Sequence, residues 1–180
     1  MPFVTFLNHD RDGASFIINE SGVTVTGKFN GEVLAHYQMG DMLMFLRNYG
    51  FVTNTMFIYS LPMQIQFPDG RLLMIDNDIS KFKRIDGKYR WPDVENKDGV
   101  ITVSWFPMYF KSGPWYPARV AAALSREFNI PAEDILYSVF RFNLNALLPI
   151  AFSLKDTENS YVQMVVSSVE RQLELIGGID

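Results

Sequence analysis

The chain has 180 residues, 48% of them apolar and 20% charged, and its 16 basic against 20 acidic side chains give a net charge of -4. That composition belongs to a folded protein and excludes a disordered or polybasic one. A domain of this length buries about 70% of its unfolded surface and needs no metal or disulfide to hold it. The absence of cysteine excludes disulfides, thiolate catalysis and cysteine metal sites, and the mild acidity gives no global attraction to nucleic acid or an anionic membrane.

The first 40 residues read as strands. Phe3, Thr5 and Leu7 alternate with Val4 and Phe6, a turn is expected at 10–13, and S-F-I-I-N-E forms a second strand. V-T-V-T-G-K-F and E-V-L-A-H-Y-Q-M then flank Asn30-Gly31, a dipeptide that tolerates the positive φ of a type I′ hairpin turn. Asp41 offers a helix N-cap, Met42, Leu43, Phe45 and Leu46 follow at helical spacing, and Gly50 suits a left-handed stop, which predicts a helix over 42–49. Met63, Ile65 and Phe67 alternate with glutamines, Pro68-Asp69-Gly70 makes a turn, and 72–75 return as a strand.

Residues 76–99 form a charged excursion broken by Gly87, Pro92 and Gly99. The strand V-I-T-V-S-W-F follows it, and then an aromatic loop over 105–117. Pro117 suits the first turn of a helix whose apolar stripe is Val120, Ala121, Leu124 and Phe128. I-L-Y-S-V-F-R-F reads as a strand, although the preceding P-A-E-D would also start a helix; conformation over 132–154 stays open. Val162, Val165, Val166, Val169, Leu173 and Ile176 mark a long C-terminal amphipathic helix, capped by Asp156 or Thr157 and stopped at Gly177-Gly178. The sum is an α+β fold: a single compact domain over 1–180, with a mainly antiparallel, hairpin-rich sheet and two or three helices packed on it.

M-P-F-V-T-F-L-N-H-D has neither a basic region nor a long apolar run, so no secretory leader is expected. No stretch approaches about 18 uninterrupted apolar residues, so no membrane span is expected either. The expected location is the cytoplasm, with incorporation into a particle open.

Four motifs carry chemistry. In N-H-D-R-D-G-A-S-F-I-I-N-E, Asn8, Asp10 and Asp12 with Gly13 open like a calcium loop; the bidentate position falls on Asn19, with Glu20 one residue late, and a charged turn accounts for the same residues. In residues 81–91, Lys81, Lys83, Arg84, Lys88 and Arg90 interleave with Phe82, Tyr89 and Trp91, as a single-stranded nucleic-acid platform would require. Between 76 and 98, however, six basic residues are balanced by six acidic ones, so a protein partner is favoured over a polyanion. Six aromatics crowd twelve residues in Trp105, Phe106, Tyr109, Phe110, Trp115 and Tyr116; they either fold back over the core or anchor a partner. Neither histidine, His9 or His36, belongs to a catalytic motif, and neither a P-loop nor a nucleophile elbow is present.

Finally, M-P-F-V-T-F resembles the start of the tautomerase superfamily, and residues 118–140 resemble that family's helix-then-strand half. The resemblance implies Pro2 as an N-terminal general base. In the family a long helix follows the first strand, whereas here strands and turns are read.

These features favour a non-enzymatic protein that binds another protein or copies of itself, without a cofactor. It would be a subunit of a larger assembly of the phage or mobile-element type, or a small inhibitor or immunity-type protein. Trp105, Tyr109, Phe110, Trp115, Tyr116, Phe82, Tyr89 and Trp91 are the candidate interface. The alternatives are a small enzyme, working through Pro2 or a divalent ion at Asp10 and Asp12, and a single-stranded nucleic-acid binder through 81–91.

Overall fold

A computed structural model describes residues 8–19, 22–26, 31–36, 41–52, 57–77, 84–85, 88–89, 91–111 and 115–177. The α+β class holds, and the chain contacts fall into two compact units, Met1–Met39 and Gly40–Asp180.

In the first unit, β1 (Asn8–Asn19) is flanked by β2 (Gly22–Val25) and β3 (Leu34–His36). β2 turns straight back from β1, with Asn19 opposite Gly22, and pairs antiparallel to it. β3 lies on the other edge of β1 and runs parallel to it. Among the described residues, the two strands flanking Asn30-Gly31, β2 and β3, pair with β1 and not with each other, contrary to the hairpin expectation. The expected turn at 10–13 is replaced by a register break inside β1, where His9 and Ala14 both align with Ala35. The expected strand over 3–7 lies outside the described residues.

The second unit opens with α1 (Met42–Tyr49) as the sequence predicts. The Asp41 carboxylate accepts from the Met44 N–H at 2.8 Å, and Gly50 closes the helix at φ 75° with its N–H on the Leu46 carbonyl. Its four-stranded sheet is mainly antiparallel, as expected, with one parallel pair at its centre. The order is β5 (Met63–Gln66), β6 (Leu72–Ile75), β10 (Val100–Val103) and β9 (Val94–Lys97), and the central β6–β10 pair is parallel. Met63 and Ile65 point inward and Gln64 and Gln66 outward, as alternation demands. β9 lies within the segment read as a charged excursion; Asp98 and Gly99, at φ 52° and 81°, turn it into β10. A short antiparallel pair, β7 (Arg84–Ile85) and β8 (Lys88–Tyr89), also falls within that segment. β4 (Phe57–Tyr59) pairs antiparallel with β11 (Pro107–Phe110).

Three more helices complete the unit: α2 (Trp115–Phe128), α3 (Ala132–Leu154) and α4 (Ser160–Gly177). The described helices thus number four, not two or three. α3 replaces the strand expected over 135–142, because Ile135, Val139, Asn143, Leu147 and Ala151 recur at every fourth residue and are all buried. Glu133 and Asp134 in its first turn favour the helix through the macrodipole. Pro149 lies inside α3 on its exposed side and lacks the N–H that would reach the Asn145 carbonyl. Helix followed by helix over 118–140 also corrects the helix-then-strand pattern of the tautomerase resemblance. α4 begins later than expected: Asn159, not Asp156 or Thr157, accepts from the N–H groups of Tyr161 and Val162.

The core joins Leu73, Ile75, Ile101 and Val103 of the sheet to Val120 and Leu124 of α2, Ile135 and Val139 of α3, and Val169 and Ile176 of α4. Each such side chain contributes about 1.5–3 kcal/mol when fully buried. Arg71 fastens the β5–β6 turn to the end of α2, donating to the carbonyls of Phe128 and Asn129.

Candidate functional site: a polar cavity and an outward helix face

A cavity of about 370 Å³ lies among α1, the β4–β5 connection, the end of β6, α3 and α4. Asp41, Leu43, Met44 and Arg47 line it from α1, with Tyr59, Leu61 and Pro62, Asn77, Asn143 and Leu147, and Gln172 on the other sides. Folding that makes a helix of 132–154 is what brings Asn143 here. Its Oδ1 accepts from the Leu61 N–H at 2.8 Å, and its Nδ2 donates to Ser60 Oγ at 2.9 Å and the Val139 carbonyl at 2.8 Å.

The deeply buried polar side chains separate by their bonding. Ser60, Ser104, Asn143 and Ser168 each have a hydrogen-bond partner. Gln172 is only 2% exposed, yet its Nε2 has none. The shielded Asn77 Oδ1 also lacks one, and Asn77 holds a left-handed φ of 53°. An unpaired buried polar atom costs about 1–3 kcal/mol, and both of these residues line the same cavity.

Asp41 supplies the charge. Burial pushes its carboxyl above the ordinary carboxylate value, opposed by the Met44 N–H, the Gln172 amide, the nearby Arg47 guanidinium and the Leu43 N–H. The Gln172 amide is close enough to favour the charged carboxylate, but by geometry its Nε2 makes no hydrogen bond.

The second feature is the outer face of α3. Tyr137 is 64% exposed and Phe152 74%, with Leu148 and Phe142 also exposed. Asp134, Tyr137, Arg141, Leu148, Phe152 and Lys155 fall within one stripe at helical spacing. Arg141 lies over the Tyr137 ring, 5.8 Å from its centroid. Beside this stripe runs a shallow groove bounded by Met63, Gln64, Ile65 and Gln66 of β5, the edge of the four-stranded sheet among the described residues. By length and composition α3 is apolar enough to cross a membrane; here its other face packs on α2, α4 and β5.

Four of the aromatic candidates, Trp91, Trp105, Phe110 and Tyr116, come together in one cluster. Trp105, with Phe106, lies in the core rather than on the surface, which removes it as an exposed anchor. β4–β11 pairing draws 107–110 back onto the fold, and Phe110 stacks on Phe57 at 4.5 Å. Tyr109 and Phe110 are half-buried. Tyr116 contacts Trp105, Phe110 and Trp91, and burial raises its phenol pKa. Trp91 remains 43% exposed. The backbone of Trp115 opens α2, while Arg84 lies on β7 and Lys88 and Tyr89 on β8. Asn8, Asp10 and Asp12 follow one another along β1. Pro2, Lys81, Phe82, Lys83 and Arg90 lie outside the described residues. Among the described residues, no three His, Asp or Glu gather as a metal site.

Sequence reasoning missed the cavity residues because they come from five separated stretches. The one available signal was polar residues on apolar ladders: Asn143 between Val139 and Leu147, and Gln172 between Val169 and Ile176. No protein-family model, curated protein or solved structure matches the chain.

Proposed function

We propose that the protein is a non-enzymatic subunit of a larger assembly and associates with copies of itself through the outer face of α3. The observation that carries this reading is the exposed stripe of Tyr137, Leu148 and Phe152 on a helix already packed on its other side. Apolar side chains left outward in one row are what a partner surface covers.

Charge selects a second copy as the occupant. The stripe begins with Asp134 and ends at Lys155, just past the helix. If two copies of α3 lie antiparallel about a two-fold axis, Tyr137 of one meets Phe152 of the other, and Arg141 meets Leu148. Asp134 then meets Lys155 at both ends. A two-fold contact of this kind is self-complementary by construction. The stripe is about 32 Å long at 1.5 Å per residue. A single helix pair of that length falls below the roughly 1,200 Å² of a standard interface, so association weakens on dilution.

Light scattering across a concentration series tests the reading. The native chain should show a reversible rise in mass, which Phe152→Asp should abolish while the circular dichroism spectrum stays unchanged. Asp134→Lys and Lys155→Asp should each weaken association, and the double variant should restore it. A monomer at every concentration would refute the proposal. So would association indifferent to all of these changes.

A further inference from the structure

We infer that β5 pairs antiparallel with β5 of a second copy, so that the four-stranded sheet continues from one chain into the next. The inference rests on the self-association reading and adds a second element to the same contact, because the groove along β5 shares Tyr137 and Arg141 with the α3 stripe.

The hydrogen-bond ladder shows which backbone groups the edge leaves outward. The Phe67 N–H donates to the Arg71 carbonyl, while Leu72 and Asp76 donate away from β5, to the carbonyls of Gly99 and Val103. Gln66 stands opposite Leu72 and Gln64 opposite Met74. Alternation therefore directs the backbone bonding groups of Met63 and Ile65 to β6 and leaves the N–H and C=O of Gln64 and Gln66 outward. Among the described residues β5 is paired on one side only. Between it and Ser138, Phe142 and Asn145 of α3 lies a shallow groove, so the helix does not seal the edge. The other edge of the same sheet differs: β9 exposes Glu95 and Lys97, charges of the kind that keep an edge from pairing. β5 exposes only the uncharged Gln64 and Gln66.

Self-complementarity selects a second copy as the occupant. In the register centred on Ile65, Gln64 of each strand faces Gln66 of the other about a two-fold axis. Each such pair exchanges two backbone hydrogen bonds, so every outward group is used. A register centred on Gln64 would instead set Gln66 against Pro62, which has no N–H. The side chains agree. Both glutamines project from the exposed face of the strand, and each amide carries donors and an acceptor, so glutamine beside glutamine satisfies both. One axis normal to the sheet reverses α3 as well as β5. The strand contact thereby enlarges an interface that a single helix pair leaves below the standard size.

Light scattering and amide hydrogen exchange on the full chain, across a concentration series, test the strand contact. The Gln64 and Gln66 N–H groups should exchange more slowly as concentration rises. Gln64→Pro removes an outward N–H and no bond to β6, a change that an edge strand accepts. It should lower the association constant at least about tenfold, since the two-fold loses that bond twice. Should this variant not fold, charges read the same register. Gln64→Lys with Gln66→Lys sets like charges opposite each other and should abolish association, whereas Gln64→Lys with Gln66→Glu should retain it. Native association by Gln64→Pro, with Phe152→Asp still monomeric, would overturn the strand contact and leave the helix contact standing. Equal association by the two charge pairs would overturn it too. Loss in Gln64→Pro with association kept in Phe152→Asp would uphold the strand contact and remove the helix contact. A monomer at every concentration would overturn both and leave the edge to a different protein.

Discussion

Asn143→Ala should be among the more damaging single substitutions in the protein. The side chain is 1% exposed and makes three hydrogen bonds, to the Leu61 N–H, Ser60 Oγ and the Val139 carbonyl. The contacts to Ser60 and Leu61 tie α3 to the β4–β5 connection; the Val139 contact is local to the helix. At a net contribution of about 1 kcal/mol per bond, alanine should cost about 3 kcal/mol, much of it from a Leu61 N–H left without its acceptor. For a protein of this size each kcal/mol moves Tm by about 2–4 °C, so a fall of roughly 10 °C is expected. Ser60→Ala is the control: Asn143 keeps its bonds to Leu61 and Val139, and the cost should stay near 1 kcal/mol. Urea unfolding followed by tryptophan fluorescence measures both. A loss below about 1 kcal/mol for Asn143→Ala, or equal losses for the two variants, would refute the claim that this amide is the tie.

Asp41 gives a pH signature. Its folded pKa lies above the ordinary 3.8 because burial disfavours the charged form, so the folded state binds more protons and stability falls as pH rises through that raised pKa. Asp41→Asn keeps an acceptor for the Met44 N–H; it should flatten this slope and leave the protein at least as stable at neutral pH, as unfolding midpoints across a pH series would show. An unchanged slope would mean that Asp41 is not its source. Gly50→Ala should cost about 1–2 kcal/mol, because Gly50 sits at φ 75° with open space around it, so backbone conformation alone sets the cost. Gly50→Asn should cost less, and equal values by thermal unfolding would contradict that account.

The extent to which sequence revealed structure follows from how local each cause is. α1 was legible to the residue because Asp41 and Gly50 fix its ends by their own chemistry. The β5–β6 hairpin was legible because alternation and Pro68-Asp69-Gly70 act over a few residues. The class of α3 was not, since β-branched and aromatic residues over 135–142 imitate a strand until the four-residue repeat to Ala151 is counted. β9 was hidden by its charges, although Asp98-Gly99 between V-E-N-K and V-I-T-V is a strong hairpin signal. Asn30-Gly31 carried the same kind of signal, yet the described strands on either side, β2 and β3, take the two edges of β1. The cavity had no local cause at all: Asp41, Asn77, Asn143 and Gln172 become neighbours only through packing.

The packing of α1 on α4 has a consequence for how the protein is made. α1 spans Met42–Tyr49 and α4 begins at Ser160. At about 5–20 residues per second, roughly ten seconds of translation separate them. Throughout that interval Met42, Met44, Phe45 and Leu46, all buried in the finished fold, emerge from the ribosome without the surface that will cover them. The growing chain is therefore a better substrate for chaperones than the mature protein, and a ribosome stalled before α4 would hold out an adhesive helix.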